Sequence, residues 1–145
     1  MPTNPDPAPI SEQIDLVNDR ASIHHAESRV LDALNVFDYP KAARFAIRLA
    51  IEEAVTNAFK HGHKGLPRET PVRLDFVVAV DRAVIAVEDQ GPGFNPADVP
   101  DPTLDENLER PCGRGLMLIR AYMSALTFNP SGNRVEMTFI RATEP

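Results

Sequence analysis

The stretch KAARFAIRLAIEEAVTNAFKHG, residues 41–62, decides the fold. Ile47, Ala50, Ile51, Ala54, Val55, Ala58 and Phe59 recur at helical spacing and form one continuous apolar stripe. Asp38-Tyr39-Pro40 reads as the start of this helix, with Asp38 as N-cap and Pro40 tolerated in the first turn. Gly62 and Gly65 end it. Upstream, Ile23, Ala26, Val30, Leu31 and Leu34 mark another helix, and residues 10–17 alternate weakly as a first strand with Ile14 and Leu16 on one face.

Downstream the period changes from helical to alternating. Val72, Leu74, Phe76, Val78 and Val80 share one face of a strand, with Arg73 and Asp75 opposite. After the short turn Asp81-Arg82, residues 83–88 form its antiparallel partner and run into Asp89. Residues 90–112 hold five prolines, two glycines and the acids Asp98, Asp101, Asp105, Glu106 and Glu109. A connection of that length inside a compact domain is more often a functional lid than a passive loop. Helical spacing returns over 113–123, and residues 125–128 and 134–140 form a last hairpin around Asn129-Pro130-Ser131-Gly132.

Strands and helices do not alternate regularly, so a doubly wound parallel sheet is excluded. The order predicts an α/β two-layer sandwich, a mixed and mostly antiparallel sheet with helices on one face. Residues 1–9, with four prolines, read as a disordered tail without the apolar core of a signal peptide, and residues 10–145 as one domain. Hydrophobic residues make up 43% of the 145 and charged residues 25%, enough to bury a core. The net charge of −6 argues against direct nucleic-acid binding, which needs a basic excess. No apolar run approaches the ~20 residues of a membrane helix. The single cysteine, Cys112, excludes an intrachain disulfide framework and a cysteine-based zinc site. A cytoplasmic protein is expected.

Three short segments carry chemistry. On the long helix, Glu53, Asn57 and His61 are spaced i, i+4, i+8 and share one side at the polar edge of the stripe. A carboxylate and an amide oxygen one turn apart can serve as proton acceptor and ligand of a hard cation. The alternative for this pattern alone is a solvated helix face. At the end of a strand, Asp89-Gln90-Gly91-Pro92-Gly93-Phe94 pairs a carboxylate able to accept from an exocyclic amine with glycines that permit close backbone approach. Gly113-Arg114-Gly115-Leu116 opens a helix, where bare N–H groups and the helix dipole favour an anion. Neither a Rossmann fingerprint nor a Walker A loop is present. In this order the three supply a cation ligand, an adenine acceptor and a phosphate cradle.

With these residues in view, the sequence resembles the superfamily of gyrase, heat-shock chaperone, histidine kinase and mismatch-repair ATPases, which binds ATP in the Bergerat fold. The run from Glu53 to Ala58, followed by His61-Gly62, is especially similar to the bacterial anti-sigma factor serine/threonine kinases. The resemblance covers residues 14–140. It implies that Asn57 ligates Mg²⁺ and that Glu53 activates the attacking serine hydroxyl. It implies that Asp89 holds the adenine amine with Gly91, Gly93 and Phe94 around it, and that His61 borders the nucleotide. Gly113, Gly115 and Leu116 would form the phosphate-side turn. Lys60, Arg110 and Arg114 are the cations available to ATP, with Arg110 and Arg114 competing for the terminal phosphate. The implied activity is transfer of the ATP γ-phosphate to a serine of a STAS-type anti-anti-sigma antagonist, together with sequestration of a sigma factor. A homodimer is also implied. The other reading is an ATP/ADP-switched interaction module without phosphotransfer. One departure stands out: the Gly-Thr pair that often precedes the last strand is replaced by Gly132-Asn133-Arg134.

Overall fold

A computed structural model describes residues 7–92 and 122–141. Its elements are β1 (Ile10–Leu16), α1 (Arg20–Val36), α2 (Lys41–Asn57), a π-helical segment (Ala58–Gly62), β2 (Val72–Val78), β3 (Arg82–Glu88), β4 (Ala125–Phe128) and β5 (Arg134–Ile140). The strands form one sheet in the order β1-β2-β3-β5-β4. Every pairing among the described residues is antiparallel, where a mixed sheet was expected. The helix expected over 113–123 falls largely outside the described residues.

The helix layer covers one face of the sheet. The stripe on α2 is the reason: Ile47, Ala50, Ile51, Ala54 and Val55 are buried, and Ala58 and Phe59 continue it into the π-helical segment. They meet Val72, Leu74, Phe76 and Val78 of β2, Ile85 and Val87 of β3 and Met137 of β5 in one core cluster. Burying one such aliphatic side chain contributes about 1.5–3 kcal/mol. On the other face, Arg134 of β5 lies opposite Glu88 and reaches diagonally to Asp75, at 3.4 and 2.8 Å. The alternation along β2 therefore separates an apolar face from a charged one.

The helix ends show how the layer is held. Asp19 caps α1: its Oδ1 accepts the Ser22 N–H at 2.7 Å, while Ser22 Oγ accepts the Val17 N–H at 3.0 Å. Asp38 does not cap α2; the residue at that position is Pro40, which makes no side-chain cap bond. Instead Asp38 ends α1. It has φ +56°, its N–H donates to Asn35 O, and the Tyr39 N–H donates to Leu34 O, both at 3.1 Å. This is the double closure of a Schellman motif, with buried Tyr39 and Leu34 as its apolar pair and an aspartate where glycine is usual. Arg141, just past β5, locks the turn from outside. It donates to Phe37 O and Asp38 O at 2.7 and 2.8 Å and stacks over the Tyr39 ring at 4.8 Å.

Between the helices lies one buried acid. Glu27 on α1 is 1% exposed and faces Arg48 at 3.3 Å and Arg20 at 3.5 Å. Arg20 in turn grips Glu52 of α2 at 2.7 Å. Burial first, and the neighbouring Glu52 carboxylate second, push the Glu27 carboxyl up to about 7. The hydrogen bond from Arg20 holds Glu52 down at about 2.

Two outcomes follow from these contacts. Asp38→Gly should raise the unfolding free energy by about 0.5–1 kcal/mol in urea titration, because glycine occupies the left-handed region without the penalty a side chain incurs. An unchanged or lower midpoint would show that the Asp38 side chain offsets its backbone strain. For Glu27 the folded pKa lies above the unfolded one, so the native state holds a proton that the unfolded chain releases. That contribution therefore shrinks as pH rises from about 4.5 to about 7. Glu52, depressed, works the other way and loses its contribution only as pH falls from about 4.5 towards 2. Glu27→Gln should accordingly gain stability on the parent at pH 8 relative to pH 5. Equal differences at the two pH values would reject the assignment.

Candidate active site

The site is built where the end of α2 meets the end of β3. Glu53 and Asn57 lie one turn apart on α2, both half-buried, and Asn57 is its last residue. The backbone then widens. In the π-helical segment the His63 N–H donates back five residues to Ala58 O at 2.9 Å. Such a widened turn carries one more residue than an α-turn, and it is found preferentially at functional sites. Here it delivers Gly62 and His63 onto the Asp89 turn. Lys60 and His61, on the same segment, are exposed.

Two glycines make the approach feasible. A Cβ on Gly62 would overlap the Asp89 carboxylate, and a Cβ on Gly91 would overlap the Gly62 carbonyl oxygen. Neither glycine has a positive φ, so close contact and not turn geometry demands them. Gly65 is the opposite case: φ +87° and open space around its Cα.

The Asp89 turn is held from three directions. From β5, Asn133 O accepts the Asp89 N–H at 2.8 Å and the Asn133 side-chain amide donates to Asp89 O at 3.2 Å. From within, Asp89 Oδ1 accepts the Gly91 N–H at 2.8 Å. From the helix side, His63 Nε2 accepts the Gln90 N–H at 2.8 Å. His63 is itself buried, with its ring edge-on to Phe59 at 5.6 Å. Burial raises the Asp89 pKa from the usual carboxylate range; the Gly91 N–H and His63 oppose the rise, and Glu88 adds to it. The Asn133 end of the clamp is itself braced. Asn129 Oδ1 accepts the N–H groups of Asn133 and Arg134 at 3.1 and 3.2 Å, across a loop turned by Gly132 at φ +75°.

The structure therefore brings together the first two of the three sequence segments. Gly93, Phe94, Arg110, Gly113, Arg114, Gly115 and Leu116 lie outside the described residues, as does most of the expected lid over 90–112. Three site residues were not singled out from sequence. His63 was noticed only as one of four histidines, and Asn129 and Asn133 only as a turn and a departure. His24 and His25 are exposed on α1, away from this turn. Among the described residues no group of three or more histidine, cysteine or acidic side chains could hold a metal by itself. The donor set fits magnesium nevertheless. A single amide oxygen such as that of Asn57 suffices when water and substrate phosphates supply the remaining ligands.

An antiparallel sheet under one helix layer, with a helix-borne Glu53 and Asn57 beside a strand-end Asp-x-Gly, defines a nucleotide-binding ATPase domain. The chain matches the histidine kinase-like ATPase domain over residues 16–139, and it belongs to that family. It is similar to the serine-protein kinase RsbW of Staphylococcus aureus strains bovine RF122 / ET3-1, MRSA252 and JH9, at 32% identity over 98 residues. The similarity covers 63% of this chain and 62% of each relative, so the chain spans under two thirds of the relatives it matches. Among the described residues no helix is long and apolar enough to cross a membrane.

The glycine contacts generate a graded prediction. Gly91→Ala must move backbone and should cost more than about 2 kcal/mol, while Gly62→Ala should push the Asp89 carboxylate aside. Both should weaken ADP binding at least about tenfold. Gly65→Ala should lose about 1 kcal/mol through its left-handed backbone alone and keep its ADP affinity. Chemical denaturation and calorimetric titration of the three variants separate the cases; equal ADP affinity in all three would remove the close contact from the site.

Proposed function

We propose that this chain is an ATP-dependent protein serine/threonine kinase that acts as an anti-sigma factor in the cytoplasm. The observation that carries the reading is the seating of the α2 end on the Asp89 turn. It puts a helix bearing Glu53 and Asn57 against a carboxylate suited to adenine. The similarity to serine-protein kinase RsbW supports the choice among the many activities this family hosts.

The roles follow from chemistry. A carboxylate has two oxygens. With Oδ1 of Asp89 occupied by the Gly91 N–H, Oδ2 can accept the adenine amine. The oxygen of Asn57 would hold Mg²⁺, which when bound bridges phosphate oxygens and offsets their charge. Phosphoryl transfer then asks little covalent help of the protein. Glu53 needs only to lie within hydrogen-bond reach of the incoming serine hydroxyl and take its proton. Lys60 is exposed on the π-helical segment and contributes positive charge to a chain whose net charge is −6. Arg110 or Arg114 would serve the terminal phosphate. Gly113 and Gly115 would offer N–H groups to the phosphates. The acceptor in this reading is a serine on a STAS-type anti-anti-sigma antagonist, and the sequestered partner is a sigma factor bound by a homodimer.

The decisive experiment follows labelled γ-phosphate from ATP to such an antagonist. Glu53→Ala should abolish transfer, by at least about a hundredfold, while leaving ADP affinity within about twofold. Asn57→Ala should lose the magnesium-dependent part of ATP binding. Asp89→Asn should lose affinity with and without magnesium. Nucleotide binding that respects these variants without any transfer would convert the reading to a switched interaction module. Unchanged transfer in Glu53→Ala would remove Glu53 as the base.

A further inference from the structure

Of the three ties on the Asp89 turn, the one to the helix layer runs through a side chain the proposed mechanism does not use. Resting on the nucleotide-site reading above, we infer that His63 is a positioning residue for the Asp89 carboxylate. By accepting the Gln90 N–H it fixes the turn that sets the carboxylate against the adenine amine, and so sets the preference for adenine over a base without that amine.

The geometry leaves the imidazole little freedom. Its backbone is fixed by the five-residue hydrogen bond to Ala58 O. The ring lies edge-on to Phe59, at an interplanar angle of 84°. Accepting through Nε2 requires the neutral imidazole with its proton on Nδ1, a tautomer assigned from the hydrogen bond itself. The Asn133 contacts hold the peptide groups of residue 89 in line with β5, but they end there. The next peptide, which carries the Gln90 N–H, is oriented from the helix side by His63. Gly91 follows at once, and its N–H sets the rotamer of Asp89 through Oδ1. A tilt of the 90 peptide therefore turns the carboxylate. The Gly62 contact then acts as a stop against which the carboxylate rests. His63 links the two halves of the site as a hinge pin links two leaves, and it does so at a distance from the reacting phosphate.

A buried histidine packed on a phenylalanine could equally be a core residue, and substitutions separate the two roles. His63→Phe keeps an aromatic ring on Phe59 and deletes the acceptor. His63→Gln gives up the ring and keeps an acceptor at a similar reach, because Gln Oε1 extends about as far as imidazole Nε2. The readout is the affinity of the full chain for ADP and for inosine diphosphate, whose base carries a carbonyl where adenine has the amine. Both are titrated with Mg²⁺ by calorimetry. His63→Phe should weaken ADP about tenfold, the scale of one lost buried hydrogen bond. It should move inosine diphosphate less than about twofold, so the adenine preference falls. His63→Gln should stay within about twofold of the parent for both. His63→Leu replaces His63→Phe if thermal melting shows that the latter does not fold.

An unchanged ADP-to-inosine-diphosphate ratio in His63→Phe overturns the inference. So does a His63→Gln variant as impaired as His63→Phe, because packing would then be the role. Asp89→Asn tells this failure apart from failure of the site itself. If Asp89→Asn keeps the parental adenine preference, the nucleotide-site reading falls and the inference with it. If it loses the preference while His63→Phe retains it, only the role of His63 is lost.

Discussion

Two backbones in contact, with no Cβ between them, are what the rest of this molecule is arranged to permit. Gly62 rests on the Asp89 carboxylate, and Gly91 rests on the Gly62 carbonyl. Such a contact gives little attraction of its own, since each atom pair contributes only about 0.1–0.2 kcal/mol. Its value is positional: it brings the end of α2, with Glu53 and Asn57, to the strand end that carries Asp89. The groups around it supply the holding energy. His63 and Asn133 take up polar groups that would otherwise be stranded in a half-buried turn. The stripe of α2 against β2 and β3 keeps the helix from sliding.

The helix layer is held at its two ends by different physics. Near the site it depends on apolar burial and on glycine contact. At the far end, charge does the work. Arg141 gathers the carbonyls of Phe37 and Asp38 and covers Tyr39, whose hydroxyl donates to Ala79 O at 2.7 Å. The α1–α2 joint is thus tied both to the β2–β3 connection and to the end of β5. Between the ends sits Glu27, an acid buried where two arginines from the two helices reach it. Removing a partner from a buried charge is costly, and replacing the whole set by apolar residues is often not. Stability alone does not account for retaining the group, whereas pairing α1 to α2 in one register does.

Much of this was legible in the residue pattern, and what was not has identifiable causes. The two helices and five strands follow from period alone: residues 47, 50, 51, 54 and 55 are all buried, and 72, 74, 76 and 78 alternate with 73, 75 and 77 as read. Strand direction was less accessible, because side-chain alternation is the same in parallel and antiparallel pairs. Asp38 was assigned to the wrong helix. Its left-handed backbone depends on a hydrogen-bond closure with Leu34 and on Arg141, about a hundred residues away. At the site, Glu53, Asn57, Asp89 and Gly91 could be named because their chemistry is local to short segments. His63 could not, because only the extra residue of the π-helical segment turns its ring inward. Asn133 escaped notice because its partner, Asp89, is a neighbour across the sheet and not along the chain.

The widened turn at residues 58–62 also constrains how this chain can change over time. A π-turn is an α-helix with a residue added, so deleting any one of the five would restore an ordinary helix. It would also swing everything beyond by about 100° and shorten the rise by about 1.5 Å. Gly62 would then face away from Asp89, and no single exchange of side chains could bring it back. Within this stretch, drift by substitution is cheap at the exposed positions 60 and 61, while any change in length must be matched by a second one. The spacing from Asn57 to His63 is therefore a sharper mark of descent than the residues that fill it.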